Sequence, residues 1–321
     1  MFGLIEPALG RVSGGLRYNH AVAAAAGNTL LIQQLPGSWP DPTAHDVAVL
    51  QQAVEDLDAP ILLDGLIGCS LPSPVQASVP IVQLVHALAE GPEAQRREAL
   101  NLHAASAVVT TSQFAADQLY QRHGLRAVTA TPGVEPRPLA IGGDGGSMIC
   151  VGAIEHNKNQ LFLANVLDRL SQRGCTAWQC TFAGPLTDPA YAQQVRRALD
   201  PIPQITLAGE LSAPDLAELY YRADLLVLPS LAETYGLVID EASAAGIPAF
   251  VTAGTGAEEA LGAGEALPLD ELVWTATLYR WITDRPYRAT LRRQAHQARE
   301  QLQYGWEPTA QRILQVLKEV L

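Results

Sequence analysis

The chain has 321 residues, of which 48% are hydrophobic and 17% are charged, and its formal net charge is −12. This length is long for one core, so we expect two domains of about 150 residues each. The acidic balance argues against non-specific binding to nucleic acid or to anionic lipid.

The four cysteines (Cys69, Cys150, Cys175 and Cys180) lack the spacing of a zinc site and fall mostly in apolar runs typical of strands. They are predicted to be reduced core residues. No signal peptide is recognised before the first predicted strand, and no apolar run reaches the length of a membrane span. We therefore expect a cytoplasmic protein without a transmembrane segment.

The amino-terminal half begins with a predicted strand, loop and helix. Residues 1–5 are apolar, a loop reaches Gly14 and Gly15, and residues 17–26 have a helical pattern before a second strand at 30–34. Paired glycines let backbone amides approach an anion or a sugar closely. A plain turn is the alternative interpretation of the two glycines.

Two polar residues follow later strands of this half. Asp64 lies near the end of an apolar run that starts at Ile61, and His86 follows the run 80–85. The carboxyl ends of parallel strands share one edge of a sheet, where α/β folds bind ligands. Asp64 could equally cap the next segment, and a lone histidine is commonly a satisfied core or surface group.

A stretch rich in proline and glycine, residues 136–146, separates the two halves and is predicted to be a linker. A strand at 147–152 follows, and then a loop with Lys158 before a helix at 160–173. Lys158 could bind phosphate or could be a solvated loop lysine. Leu211 lies in the loop after a strand at 205–207, and Asp56-Leu57-Asp58 ends a helical pattern, which argues against a metal site there.

The most informative stretch is residues 225–252, which predicts a strand, a loop, a helix and a second strand. Glu233 lies in the loop, and Glu241 follows after seven residues. Gly236 and Leu237 open the helix, and their amides are suited to a phosphate or sugar oxygen. Glu233 could accept hydrogen bonds from hydroxyl groups, and Glu241 could hold a vicinal diol such as ribose. The alternative is two ordinary surface acids near a helix start.

The segment E-T-Y-G-L-V-I-D-E, after a strand that ends in P-S, resembles the E-x7-E signature of retaining GT-B glycosyltransferases of the family four type. The resemblance extends to the Gly-Gly loop, to the histidine after its strand and to Lys158. Residues 132–134, Pro-Gly-Val, also resemble the family's P-x-G-V turn. It implies an α/β GT-B fold, in which two doubly wound Rossmann-like domains face a central cleft. The acceptor-side domain would span 1–135 with helix 309–321 packed back on it, and the nucleotide-sugar domain would span 147–308.

The resemblance also implies a function and a set of site residues. The reaction would be retaining transfer of a hexose from a nucleoside diphosphate sugar to a hydroxyl acceptor (sugar, small molecule or lipid-linked), with no cofactor and no metal. The implied catalytic residues are His86, Glu233 and Lys158. Asp64 is implied on the acceptor side, and the donor would be bound by Gly14, Gly15, Lys158, Leu211, Glu233, Tyr235, Gly236, Leu237 and Glu241.

One residue departs from the family pattern. Ala153 stands where the family has an arginine that contacts the diphosphate, and His156, Asn157, Arg11 or Arg17 could substitute for it. The departure motivates an alternative, a weakly active or inactive GT-B protein that binds nucleotide or acts as a scaffold. A nicotinamide dehydrogenase is excluded, because Gly254-Thr255-Gly256 lacks the third glycine and the ribose acid of a dinucleotide fingerprint.

Overall fold

The computed structural model describes residues 1–11 and 13–321, and the chain divides into two units. Unit 1 comprises Met1–Gly133 and Gly305–Leu321, and unit 2 comprises Val134–Tyr304. Each unit contains a six-stranded sheet in which the paired strands run parallel. The units divide at Gly133 and Gly305, a few residues from the sequence-based boundaries at 135 and 308.

The sheet of unit 1 has the strand order β2-β1-β3-β4-β5-β6. Its strands are β1 (Phe2–Pro7), β2 (Leu30–Leu35), β3 (Ile61–Asp64), β4 (Ile81–Val85), β5 (Ala107–Thr110) and β6 (Val128–Thr129). Its helices are α1 (Gly14–Ala26), α2 (Ala44–Glu55), α3 (Gly65–Gly68), α4 (Pro92–Ala104), α5 (Gln113–His123) and the last helix of the chain, α13 (Glu307–Glu319).

The last helix belongs to unit 1 because aromatic and polar contacts hold it there. The rings of Tyr18 on α1 and Trp306 before α13 meet edge to face at 5.3 Å. The Tyr18 hydroxyl donates to the carbonyl of Ala130 over 2.7 Å, and the Thr309 hydroxyl donates to the carbonyl of Thr131 over 2.6 Å. The same side of the sheet thus carries α1 and α13.

The sheet of unit 2 has the order β12-β11-β10-β7-β8-β9. Its strands are β7 (Ser147–Val151), β8 (Gln179–Ala183), β9 (Ile205–Gly209), β10 (Leu225–Leu228), β11 (Ala249–Thr252) and β12 (Gly264–Leu267). Its helices are α6 (Gln160–Gln172), α7 (Pro189–Leu199), α8 (Ala213–Arg222), α9 (Leu237–Ala244), α10 (Ala257–Ala260), α11 (Glu271–Thr283) and α12 (Arg285–Gln301).

Both faces of the unit 2 sheet are covered, as the nearly continuous apolar runs of its strands predict. Cys150 on β7 packs with Trp274 and Trp281 in one core cluster, whereas Ile149 on the same strand packs with Ile239 in another. Successive side chains of a strand point to opposite faces, so each face has its own core. This is the doubly wound arrangement.

The residues predicted to form a linker belong to unit 2 and are hydrogen-bonded to the rest of it. The amide of Ala140 donates to the carbonyl of Ala245 over 2.9 Å. The buried carboxylate of Asp224 accepts from the amides of Gly143, Gly145 and Ser147, and Arg292 pairs with it. The linker was predicted from its proline and glycine content alone. That content does not reveal Asp224, whose carboxylate orders the glycine-rich segment by accepting hydrogen bonds from its amides.

None of the helices in the described part of the chain combines the length and the apolar character needed to cross a membrane.

Candidate functional site

The start of α9 in unit 2 is the first candidate site. Gly236 caps the helix with φ of 97°, in the left-handed region, and a Cβ there would lie 2.8 Å from Cδ1 of Ile239. The positive φ favours glycine at this position, and a Cβ would also require the Ile239 side chain to shift. No side chain caps the helix. Its first amides therefore point out of the carboxyl edge of the sheet, where they can receive an anion.

Two loops of unit 2 are joined beside this helix start. The loop between β7 and α6 contributes Asn157, whose backbone carbonyl accepts from the amide of Leu231 over 2.8 Å. The side-chain amide of Asn157 exchanges hydrogen bonds with the backbone of Ala232, at 3.0 Å in each direction. Asn157 is therefore occupied in joining the loops, although the sequence left it open as a substitute for the family arginine.

The joined loops bring Lys158 and Glu233 together. The Lys158 ammonium donates to Oε1 of Glu233 over 2.6 Å, and the Ser230 hydroxyl donates to the same oxygen over 2.8 Å. The side chains are 21% and 10% exposed. Burial lowers the pKa of Lys158, but the carboxylate of Glu233 outweighs it, and the net pKa is raised. Lys158 is thus a partly buried cation whose present partner is the first acid of the E-x7-E segment.

Glu241, the second acid, lies on α9 and is buried. Its Oε2 is 3.3 Å from the guanidinium of Arg137, which also lies 4.4 Å from the ring centroid of Tyr220. Arg137 was not predicted as a site residue, because it belongs to the Pro/Gly-rich segment and is far from Glu241 in the chain. The one feature of the sequence that could have pointed to Arg137 is its position between two prolines, Pro136 and Pro138.

Tyr235 and Asp240 form a second acid-containing pair at the start of α9. The Tyr235 side chain hydrogen-bonds to Asp240, and both residues are buried. Burial, with a smaller contribution from Glu241, raises the pKa of Asp240 to about 7 against the opposing effect of the Tyr235 hydrogen bond. Burial and the charge of Asp240 also raise the pKa of Tyr235. Tyr235, implied as a donor-binding residue, thus directs its hydroxyl to Asp240.

The remaining implied residues of unit 2 lie at the same edge. Leu211 is half-buried and precedes Ser212, the N-cap of α8. Ala153 accepts a hydrogen bond from Gln160 through its carbonyl and presents only a methyl group. The ring of His156 lies against Tyr191.

In unit 1, Asp64 and His86 lie close together at the carboxyl edge of the sheet. One oxygen of Asp64 caps α3 by accepting from the amide of Leu66 over 2.8 Å, so the capping alternative is realised. Its other oxygen lies 3.6 Å from Nε2 of His86 and accepts from Asn19 over 2.7 Å. Asp64 is 3% exposed. Asp64 is therefore buried beneath the site and contacts Asn19 and His86.

Asn19 connects two buried carboxylates with the histidine. Its amide nitrogen donates to Glu6 at 3.1 Å and to Asp64 at 2.7 Å, so its oxygen accepts from Nε2 of His86 at 2.9 Å. Burial lowers the pKa of His86, although Asp64 and Glu6 oppose the effect. The lowered pKa favours the neutral imidazole, in which the proton lies on Nε2 and Nδ1 is an acceptor.

Glu6 and Asn19 were missed by the sequence analysis. Glu6 is fully buried at the end of β1 and also contacts His20 at 2.7 Å and Gln34 at 3.0 Å. Asn19 is fully buried on α1. The sequence offered one signal for each residue. Glu6 is a lone acid at the end of an apolar run, and Asn19 is a lone amide on an apolar helix face.

The paired glycines form the first turn of α1. Ser13 caps the helix by accepting from the amide of Leu16 over 3.2 Å. A Cβ at Gly15 would lie 3.1 Å from Cδ2 and 3.2 Å from Cγ of His86. The glycine thus lets the helix start approach the imidazole ring closely.

No group of three or more His, Cys, Asp or Glu residues within 1–11 and 13–321 is arranged to hold a metal ion.

Comparison with known proteins identifies relatives among glycosyltransferases. Residues 145–276 match the family model described as Glycosyl transferases group 1. A D-inositol 3-phosphate glycosyltransferase of Catenulispora acidiphila is 28% identical over 282 residues, which cover 76% of this chain and 67% of the relative. A glycogen synthase of Mycobacterium tuberculosis is 33% identical over 187 residues, which cover 53% of this chain and 41% of that protein. Another D-inositol 3-phosphate glycosyltransferase, from Salinispora arenicola, matches over 31% of its own length.

Solved structures with the same architecture span nearly the whole chain. Anabaena Alr3699/HepE, in complex with UDP and glucose, has a TM-score of 0.81 at 16% identity and covers 99% of both chains. Sucrose-phosphate synthase from Thermosynechococcus elongatus has a TM-score of 0.77 at 17% identity and covers 99% of this chain and 98% of its own. The protein thus has the two-domain α/β GT-B fold, and its residues 145–276 match the group 1 glycosyl transferases.

Proposed function

We propose that this protein is a retaining glycosyltransferase that moves a hexose from a nucleoside diphosphate sugar to a hydroxyl group of an acceptor (sugar, small molecule or lipid-linked). The observation that carries the proposal is the ion pair between Lys158 and Glu233 beside the uncapped start of α9, with Glu241 farther along the same helix. These groups lie in the segment that matches the group 1 family model.

Each group at the start of α9 has a proposed role toward the donor. Glu241 accepts hydrogen bonds from the ribose hydroxyls, and Glu233 orients the sugar. The amides at Gly236 and Leu237, together with the ammonium of Lys158, stabilise the negative charge that develops on the departing diphosphate. Lys158 changes partners in this scheme, from Glu233 to the diphosphate.

We propose that transfer needs no metal ion, because Lys158 and the helix start supply positive charge to the diphosphate. The backbone at Leu211 is assigned to the base. In unit 1, His86 is assigned a catalytic role, and the amides at Gly14 and Gly15 are assigned to donor binding. Asp64 acts through Asn19 and His86, since it is buried.

UDP-glucose is the first donor to test, because one solved structure of the same fold contains it. D-inositol 3-phosphate glycosyltransferases are among the relatives, so a polyol phosphate is a reasonable first acceptor.

A second candidate is a GT-B protein that binds nucleotide without transferring sugar. Ala153 favours it, because this residue offers no charge where the family has an arginine. One charge-assisted hydrogen bond is worth roughly 1.5–3 kcal/mol, so its loss lowers transfer without preventing nucleotide binding.

The decisive experiment separates the two acids by using free UDP, which contains ribose but no sugar. Glu241→Ala should weaken UDP binding by about 10-fold or more in calorimetric titration. Glu233→Gln should keep UDP affinity within about threefold, since UDP lacks the group that Glu233 orients. The same variant should lower single-turnover transfer from UDP-glucose by roughly 100-fold. GDP titrated in parallel reports the base preference.

Glu271→Ala is the matched control, because Glu271 is a carboxylate of the same unit whose partner is Arg169 on the surface. It should leave binding and transfer unchanged. If both E-x7-E variants bind UDP and transfer sugar like the parent protein, the proposed site is wrong. If the parent binds UDP but transfers to no acceptor of a broad panel, the scaffold alternative holds.

A further inference from the structure

Arg137 occupies a built position against α9. Its guanidinium lies between the carboxylate of Glu241, at 3.3 Å, and the face of Tyr220, at 4.4 Å from the ring centroid. The hydroxyl of Tyr220 in turn contacts the carbonyl of Val238 on α9 at 3.4 Å. The side chain of Arg137 is 16% exposed and that of Glu241 is 7% exposed.

The backbone of Arg137 is held by a second arginine. Arg299 donates to the carbonyl of Arg137 over 3.0 Å, and its Nε donates to the carbonyl of Ala244, the last residue of α9, over 2.7 Å. One end of α9 is therefore tied to the backbone of Arg137, while the middle of the helix is tied to its side chain. A long flexible side chain fixed at both ends loses little further freedom when it makes contact with a partner.

The pair is costly as a purely structural device. Two charges leave water, and Nε of Arg137 is buried without a hydrogen-bond partner among the described residues. Replacing such a buried pair by apolar residues of similar volume is often neutral or stabilising. The arrangement therefore suits a requirement on the orientation of Glu241.

We propose that Arg137 is a positioning residue of the ribose site. It offsets the charge of Glu241 and holds its carboxylate in the orientation that accepts hydrogen bonds from the 2′- and 3′-hydroxyls of a nucleoside diphosphate. The inference rests on the proposed function, in which Glu241 binds ribose, and it adds the residue that aims this carboxylate.

The test compares UDP with 2′,3′-dideoxy-UDP, which lacks both hydroxyls. Arg137→Ala should weaken UDP binding by about 10-fold in calorimetric titration and leave 2′,3′-dideoxy-UDP within about twofold of the parent affinity. Arg137→Lys keeps the charge but loses the planar fork, so it should fall between the parent and Arg137→Ala. In transfer assays the donor KM should rise by about 10-fold while kcat stays within about threefold.

Arg292→Ala is the matched control. Arg292 pairs with buried Asp224 and thereby holds another part of the same segment. This variant should lower the melting temperature but leave the affinity for both nucleotides unchanged.

If Arg137→Ala weakens the binding of UDP and of 2′,3′-dideoxy-UDP equally, Arg137 has a merely structural role. If UDP binding is unchanged or tighter, Arg137 is not needed to orient Glu241. Either result overturns the proposal. If Arg137→Ala does not fold, Arg137→Gln retains the length of the side chain and gives the same comparison. A parent protein that binds both nucleotides equally would refute ribose recognition by Glu241 itself, and with it the proposed donor site.

Discussion

Asp240→Asn should stabilise the protein at alkaline pH and have little effect below about pH 4. In the unfolded chain an aspartate gives up its proton near pH 4. In the folded protein the pKa of Asp240 is raised to about 7, chiefly by burial. Between these values the folded state holds a proton that the unfolded state has lost. Stability therefore falls as pH rises through this window, and the loss is complete above the folded pKa.

The size of the effect follows from the difference between the two pKa values. One pKa unit corresponds to about 1.36 kcal/mol, so a rise of about 3 units costs at most about 4 kcal/mol of stability at alkaline pH. Asparagine is neutral at every pH and keeps an oxygen that accepts from the Tyr235 hydroxyl. For a domain of this size, about 4 kcal/mol corresponds to a gain in melting temperature of roughly 10 °C.

The measurement is the melting temperature of parent and variant at about pH 5.5, where about half of the loss has developed, and at about pH 8.5, where it is complete. The gain in stability should therefore be about 2 kcal/mol larger at the higher pH. Asp284→Asn serves as the control, because the amide hydrogen bond from Tyr287, assisted by Arg280, lowers the pKa of Asp284. Ionised Asp284 stabilises the fold above pH 4, and this contribution is lost as pH falls, so its replacement should bring no gain at pH 8.5. If Asp240→Asn gains no more at pH 8.5 than at pH 5.5, the argument that burial penalises this carboxylate is refuted.

Three further outcomes are expected. Lys158→Ala should lower single-turnover transfer by roughly 10–200-fold, because a charge-assisted contact to the diphosphate is lost; an unchanged rate in a folded variant would locate the diphosphate elsewhere. Transfer should survive EDTA, and complete loss that Mg²⁺ or Mn²⁺ restores would contradict the proposed electrostatics. Asn19→Leu should raise the pKa of His86 in an NMR titration, because His86 then faces Asp64, 3.6 Å away, without the neutral amide between them. An unchanged pKa would show that Asn19 does not shield the His86 ring from the charge of Asp64.

The features that sequence reasoning located are those that local chemistry determines. The helix α9 was predicted to open at Gly236 and Leu237, and it runs from Leu237 to Ala244, with Gly246 following its end. Gly236 and Gly246 have positive φ, at 97° and 70°. Glycine adopts such angles readily, so the sequence alone indicates where the helix begins and ends. The second strand predicted within residues 225–252 is observed at Ala249–Thr252, where a short apolar run follows Pro248.

The features that escaped sequence reasoning depend on pairs of residues that are distant along the chain. Arg137 meets Glu241 only because the segment before β7 folds over α9, and no local pattern encodes that path. Glu6 and Asn19 hydrogen-bond each other and also bond Gln34, Asp64 and His86, and a lone acid or a lone amide in the sequence does not reveal these pairs. Composition predicted a linker at 136–146, yet Asp224 supplies the hydrogen-bond acceptor that orders part of it.

Because Gly15 lies close to His86, we expect substitutions at these two positions to be correlated among relatives. A methyl group at position 15 would lie 3.1 Å from the imidazole ring, so even Gly15→Ala would require the ring to shift. Lineages that retain the histidine should therefore retain this glycine, whatever happens at Gly14. A lineage that replaces the histidine by a smaller residue would be released from this constraint, and larger residues at position 15 should then accumulate. Covariation of the two positions would thus distinguish relatives that keep the ring from relatives that have abandoned it.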